Sequence, residues 1–169
     1  EVAQWPLIGA GARATYTVMI KRENAESRKQ TRLQVQQLLE KGYSVVIFPE
    51  GTTYEGAGIL PFRPGPFQIA ENGKFNLLPL AIEYMHPEDA WVGDDTFIGH
   101  FLKCFGKPKT HVTLSFGNVI APGPWQHTHH TAQTWIDKET RAMRATTDMK
   151  SMKPKVKNRV YMASCPILY

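Results

Sequence analysis

Apolar residues are spaced in three ways along the chain, and each spacing predicts a different element. Val45 to Phe48 form an uninterrupted β-branched and aromatic run, the pattern of a short strand covered on both faces, as in the parallel part of an α/β sheet. Pro49 ends it. Ala14 to Lys21, rich in Thr, Tyr, Val and Ile, predicts another strand that delivers Arg22 to its carboxyl end. Between the two, Thr31, Val35, Leu38 and Leu39 recur at helical spacing within Ser27–Lys41. Ser27 and Gln30 suit a capping box there, and Gly42 suits the helix end. Strand, helix and strand make a βαβ unit whose crossover is expected to be right-handed.

Downstream the pattern predicts a short helix over Phe67–Asn72 and a second apolar run over Asn76–Tyr84, in which Pro79 forces an interruption or an edge position. Met85–Asp95 reads as a loop whose carboxylates, Glu88, Asp89, Asp94 and Asp95, are expected to be solvated rather than metal-binding. A capped helix ending at Phe105 follows. His111–Phe116 alternates polar residues with Val, Leu and Phe, a strand with one buried face. Thr131–Met149 reads as a helix packing through Ala132, Trp135, Ile136 and Met143. His127, His129 and His130 near its start have no Cys or acidic neighbours at ligand spacing and are expected to be solvated. The last residues, 150–169, form a basic tail with Lys150, Lys153, Lys155, Lys157 and Arg159.

The candidate chemistry lies where strand gives way to loop. In open α/β sheets ligands bind outside the carboxyl ends of strands, which is where Glu50, Gly51, Thr52 and Thr53 fall. A surface turn with a solvated Glu is the alternative. Arg63 precedes a Pro-marked helix start, whose unpaired N–H groups favour anions, so it is either part of an anion seat or a surface charge. Arg22 offers a planar fork for bidentate contact with phosphate, or is simply a surface Arg.

Phe48-Pro49-Glu50-Gly51-Thr52, then Leu60-Pro61-Phe62-Arg63, then Leu78-Pro79-Leu80-Ala81-Ile82 resemble the third and fourth motif blocks of the glycerolipid acyltransferases, the lysophosphatidic acid acyltransferase family. Trp5-Pro6-Leu7-Ile8-Gly9 and Val18 to Asn24 resemble that family's second block. The resemblance runs from Glu1 to about Ile120, and several blocks in register are far more specific than any one alone. Trp91–Phe97 resembles a subgroup of the same family that includes enzymes acylating lyso-ornithine lipid.

The resemblance implies a mixed, largely parallel sheet flanked by helices over residues 1–149, with an N-terminal part of the domain missing. It implies transfer of a fatty acyl group from acyl-CoA or acyl carrier protein to the free hydroxyl of a lysophospholipid, in phospholipid biosynthesis. The acceptor expected first is 1-acyl-glycerol-3-phosphate, with lyso-ornithine lipid as the alternative. Arg22 would hold a head-group phosphate, Glu50, Gly51 and Thr52 would position the glycerol end, Arg63 would supply further positive charge, and Thr53 is counted with them as substrate-binding. No metal or redox cofactor is implied.

Three departures stand beside it. The family's catalytic signature is Asn-His followed by four residues and Asp; none of His86, His100, His111, His127, His129 and His130 has Asp five positions on. Thr53 and Arg63 replace the Arg and Lys common at those places. A non-catalytic module that binds anionic lipid is therefore the rival reading.

Composition narrows the partners. With 169 residues and 42% hydrophobic content the chain can bury a core, and a net charge of +5 favours anionic partners. Charge alone does not choose among them; the partners the resemblance implies are a lysolipid, the acyl donor and the cytoplasmic face of a membrane, while nucleic acid has only charge behind it and is not expected. No apolar run is long enough to cross a bilayer. Cys104 and Cys165 are too far apart in sequence to suggest a Cys-x-x-Cys site and read as structural or incidental.

Overall fold

Residues 25–52, 54, 58–86, 89 and 97–151 are described by the computed structural model of the chain. The expected strand over Ala14–Lys21, with Arg22, and the segments Trp5–Gly9, Trp91–Thr96 and 152–169 lie outside these residues. The chain divides into two compact units, with the described residues up to Phe48 in the first and those from Pro49 onward in the second.

The first unit carries helix α1 (Ala25–Glu40), which buries Thr31 and Val35 and half-buries Leu38 and Leu39. That is the inner face its periodicity predicts. Its start is different. Ser27 lies inside the helix rather than at a cap, and its carbonyl accepts from Thr31 Oγ1 at 2.8 Å. The helix ends in a Schellman motif, with Tyr43 N–H donating to Leu38 C=O at 3.1 Å and Gly42 N–H to Leu39 C=O at 2.9 Å. Gly42 has φ +86°, a left-handed conformation that costs a side-chain-free residue little.

Beyond it, 43–48 is not a strand. Val46 is 61% exposed, and Ile47 and Phe48 are exposed with it, so the expected strand buried on both faces is not formed. Periodicity can mark a segment as suited to a parallel sheet, but a ladder needs neighbours, and none pairs with it among the described residues.

The second unit has an α/β content but a different sheet from the one expected. After helix α2 (Gly65–Gly73), strands β1 (Leu80–Tyr84) and β2 (Val112–Phe116) pair antiparallel, from Leu80 opposite Phe116 to Tyr84 opposite Val112. No parallel pair occurs among the described residues. Pro79 lacks an N–H and interrupts the ladder as its chemistry requires. Its carbonyl still accepts Gly117 N–H at 2.9 Å, and Leu77 and Ile120 form an isolated bridge beyond it. Helix α3 (Phe97–Phe105) lies between the strands in sequence, and the long helix α4 (Trp125–Ser151) follows them.

Helix α4 covers one face of the hairpin. Ala81 is almost fully buried there, Ser115 Oγ donates to Glu139 at 2.8 Å, and Arg144 Nε donates to Glu83 at 2.9 Å. The opposite face carries Leu80, Ile82, Tyr84, Val112, Leu114 and Phe116, with Leu114 52% and Phe116 61% exposed. The alternation in His111–Phe116 is therefore real, but the covered face is the polar one. Small Ala81 lets the helix approach, and Glu139 and Arg144 give Ser115 and Glu83 their partners.

The core is Phe62, Phe67 and Ala132, with Ile59, Leu77, Ile120, Trp125 and Ile136 packed against it. It joins the segment before α2 to the inner face of α4. Phe62 and Phe67 each contribute about 1.5–3 kcal/mol through burial.

Asp89 corrects another expectation. It is buried rather than solvated, its Oδ1 is paired with Lys107, and its Oδ2 has no partner. Glu88, Asp94 and Asp95 lie outside the described residues. Breaking a buried pair by removing one partner leaves an uncompensated charge, which typically costs about 3–5 kcal/mol. Lys107→Met is therefore expected to lower unfolding free energy by about 3 kcal/mol in urea titration, and adding Asp89→Leu to recover much of that loss.

Candidate functional site

The Pro49–Thr52 and Leu60–Arg63 segments converge and are tied by two hydrogen bonds. Arg63 N–H donates to Pro49 C=O at 2.9 Å, and Leu60 N–H donates to Glu50 Oε2 at 2.8 Å. One oxygen of the Glu50 carboxylate thus holds the loop closed. Gly51 has φ +72°, and a Cβ built on it would lie 2.7 Å from Arg63 Nε and 3.2 Å from its Cζ. Any side chain at 51 would therefore be strained and would displace the guanidinium. Glu50, Gly51, Thr52 and Arg63 are brought together, with Thr52 and Arg63 exposed to solvent and Glu50 and Gly51 half-buried. Arg22 and Thr53 lie outside the described residues.

Arg63 stands just before the first turn of α2. Pro64 occupies the cap, Pro66 sits in the first turn, and no side chain caps the helix start. The guanidinium lies against Gly51, placing its positive charge on the side of the Glu50–Thr52 loop.

Behind this loop the backbone from Gly58 to Phe62 has no secondary structure, and α4 supplies four of its hydrogen bonds. His129 Nε2 donates to Phe62 C=O at 2.9 Å, and Gln133 Oε1 accepts Phe62 N–H at 2.9 Å. Asp137 Oδ1 accepts Ile59 N–H at 3.3 Å, and Arg144 donates to Gly58 C=O at 3.2 Å. His129, Gln133 and Asp137 are four apart, so they share one helix face, and Arg141 continues the row by donating to Asp137 Oδ2 at 2.8 Å.

His129 is thus not solvated as expected. It is half-buried, its ring meeting Phe67 edge-on at 4.9 Å and Trp125 at 6.2 Å between centroids. His127 and His130 are exposed. Among the described residues no group of His, Cys, Asp and Glu could hold a metal ion, and no helix is long and apolar enough to cross a membrane.

Sequence reasoning missed Gln133, Asp137, Arg141 and Arg144. Their signal was available as polar residues at i, i+4 spacing alongside the apolar row Ala132, Ile136 and Met143. That row identified the packed face, but not that the polar row beside it had backbone to bind.

The sequence model of a family described as Acyltransferase matches residues 1–83. The chain is 34% identical over 113 residues to a lyso-ornithine lipid O-acyltransferase of Rhodobacter capsulatus, covering 61% of this chain and 41% of that one. It is 32% identical over 84 residues to a 1-acyl-sn-glycerol-3-phosphate acyltransferase of Neisseria gonorrhoeae, covering 50% and 33%. Against rat lysophosphatidylcholine acyltransferase 2 it is 30% identical over 129 residues, 72% of this chain and 23% of the relative. The chain therefore spans less than half the length of each of these relatives. No solved structure matches it.

The Asp137 carboxyl is held below its ordinary range, first by the side-chain hydrogen bond from Arg141 and then by Ile59 N–H. A carboxylate with a depressed folded pKa stabilises above its unfolded pKa, near 3.8, and that contribution is lost as pH falls through the lower folded value. Wild type should lose urea stability as pH drops below about 4. Asp137→Asn should start lower at neutral pH and fall less steeply; parallel profiles would exclude this carboxylate as a source of acid lability.

Proposed function

We propose that this chain, whose residues 1–83 match the Acyltransferase family model, forms the acceptor-binding part of a lysolipid acyltransferase. The observation that carries this reading is the closed loop in which Arg63 lies over Gly51 while Glu50 ties the strand-side motif to Leu60. The reaction moves an acyl group from the thioester of acyl-CoA or acyl carrier protein to a lysolipid hydroxyl. The attacking oxygen loses its proton and the thiol leaves. Such a reaction needs a base, a seat for the acceptor and accurate placement of both reactants.

In this reading the loop is the seat. Thr52 and the backbone around Gly51 receive the hydroxyl end of the acceptor. Arg63 and Arg22 supply positive charge for its head group, Arg22 by its bidentate fork. Glu50 acts by keeping Gly51 and Arg63 in register. No role as the base is assigned to a His of this chain, since none has Asp five positions on as in the family's signature. The enzyme works at the cytoplasmic face of a membrane, where its acceptor resides. The acceptor is 1-acyl-glycerol-3-phosphate or lyso-ornithine lipid; the longer match to the R. capsulatus relative, 113 residues against 84, supports keeping the second beside the first.

The test uses the longest polypeptide that carries this chain, with thiol release from acyl-CoA followed for both acceptors. Glu50→Ala and Arg22→Ala should each reduce transfer on the order of a hundredfold without changing thermal stability by more than a few degrees. Full activity in both variants would overturn the site assignment. Glu50→Gln keeps an acceptor for Leu60 N–H, so rescue by Gln locates the role of Glu50 in closing the loop. Vesicle binding with no thiol release would favour the non-catalytic lipid-binding module instead.

A further inference from the structure

Helix α3 has an inner and an outer side of different chemistry. His100 and Cys104, four apart, face inward; His100 is buried, Cys104 is half-buried, and their Sγ and Nε2 atoms lie 3.6 Å apart. Burial, followed by the nearby Asp89 charge, holds the Cys104 thiol above its ordinary pKa, as expected of a packed rather than a reactive cysteine. Lys107, paired with buried Asp89, anchors the end of the helix to the loop before it.

On the outer side Leu102 is 64% and Phe105 66% exposed, the two most exposed large hydrophobic side chains among the described residues. Phe101 stacks on Phe105 with ring centroids 4.3 Å apart. Lys103, next to Leu102 in sequence, and Lys109, four residues after Phe105, are exposed, and from Phe97 to His111 the chain contains no carboxylate. Exposed apolar side chains with lysines in the same stretch of chain, and no acidic residue between Phe97 and His111, are the composition of an interfacial helix on anionic lipid.

We infer that α3 lies in the surface of an anionic membrane, with Leu102 and Phe105 among the acyl chains and Lys103 and Lys109 on the head groups. Nine residues of helix extend about 14 Å, too short to cross a hydrocarbon core of about 30 Å, so the helix lies on the bilayer rather than through it. A second copy of the chain is the poorer occupant, because a two-fold contact here would bring Lys103 and Lys109 toward their own equivalents, whereas a layer of anionic head groups neutralises them. The choice of lipid rests on the acceptor reading above, since a lysolipid is drawn from a membrane; the exposure and the charge pattern stand without it.

The experiment is co-sedimentation of the purified full chain with vesicles of equal parts phosphatidylglycerol and phosphatidylcholine, and with phosphatidylcholine alone. Wild type should partition to the anionic vesicles. Leu102→Gln with Phe105→Gln should weaken this on the order of tenfold or more at any salt concentration. Lys103→Gln with Lys109→Gln should weaken it about tenfold at low salt and little at high salt. Leu102→Gln alone is the milder variant, expected to retain the wild-type circular dichroism and urea midpoint while still binding more weakly.

Phe116→Gln, on the open face of the hairpin, should bind as wild type. The proposal is overturned if wild type ignores anionic vesicles, or if Leu102→Gln with Phe105→Gln binds unchanged. It is also overturned if Phe116→Gln or Gln at Lys153, Lys155 and Lys157 abolishes binding alone, or if the Leu102 and Phe105 substitutions dissolve a dimer instead. Because the assay involves no chemistry, its failure leaves the acyl-transfer reading standing. Loss of thiol release with vesicle binding intact would strike that reading and leave this one.

Discussion

The backbone from Gly58 to Phe62 runs without secondary structure across helix α4, and its partly buried N–H and C=O groups have no ladder to satisfy them. The row His129, Gln133, Asp137 and Arg144 partners Gly58 C=O, Ile59 N–H and both backbone groups of Phe62, so the irregular segment is tied to the helix along its length. Everything near the candidate site depends on that constraint. Phe62 enters the core against both His129 and Phe67, which fixes the approach to α2. Leu60 and Arg63 are thereby placed to receive Glu50 and Pro49, and the loop around Gly51 closes. A helix that contributes no residue to the loop positions all of it.

The same helix decides the polarity of the hairpin. A two-stranded sheet has little stability alone and takes its order from what covers it. Here the covering helix brings Glu139 and Arg144, so the face bearing Ala81, Glu83 and Ser115 is the matched one. Leu114 and Phe116 are left outward. Buried polar groups with partners cost little, whereas the same groups without them would cost about 1–3 kcal/mol each. Satisfying Glu83 and Ser115 therefore competes effectively with hiding apolar surface.

Charge is managed in two ways. Inside, Asp89 is offset by Lys107, and at the surface of α4 Asp137 and Arg141 join in an i, i+4 pair that also reaches the backbone of Ile59. In α3 and the segment after it, Lys103 and Lys109 stand in a stretch from Phe97 to His111 that has no acid, and that stretch also holds the most exposed large apolar side chains among the described residues. The loop at Glu50 and the surface at α3 thus rely on different interactions, one on hydrogen-bond geometry and one on exposure, and they can be altered separately.

Much of this was legible in the residues themselves. The inner face of α1 at Thr31 and Val35, its end at Gly42, the break at Pro79, the strand at Val112–Phe116 and the packing of Ala132 and Met143 all follow from periodicity or local backbone chemistry. The association of Glu50, Gly51, Thr52 and Arg63 was legible as motifs in register. The fate of Val45–Phe48 was not, because an apolar run records suitability for a strand and not the presence of a neighbour. Nor was it legible that α4 would cover the polar face of the hairpin, that His129 would enter the core, or that Asp89 would be buried against Lys107. Those outcomes depend on which distant groups meet, and neither residue spacing nor local propensity encodes a partner many residues away; only the tertiary structure supplies it.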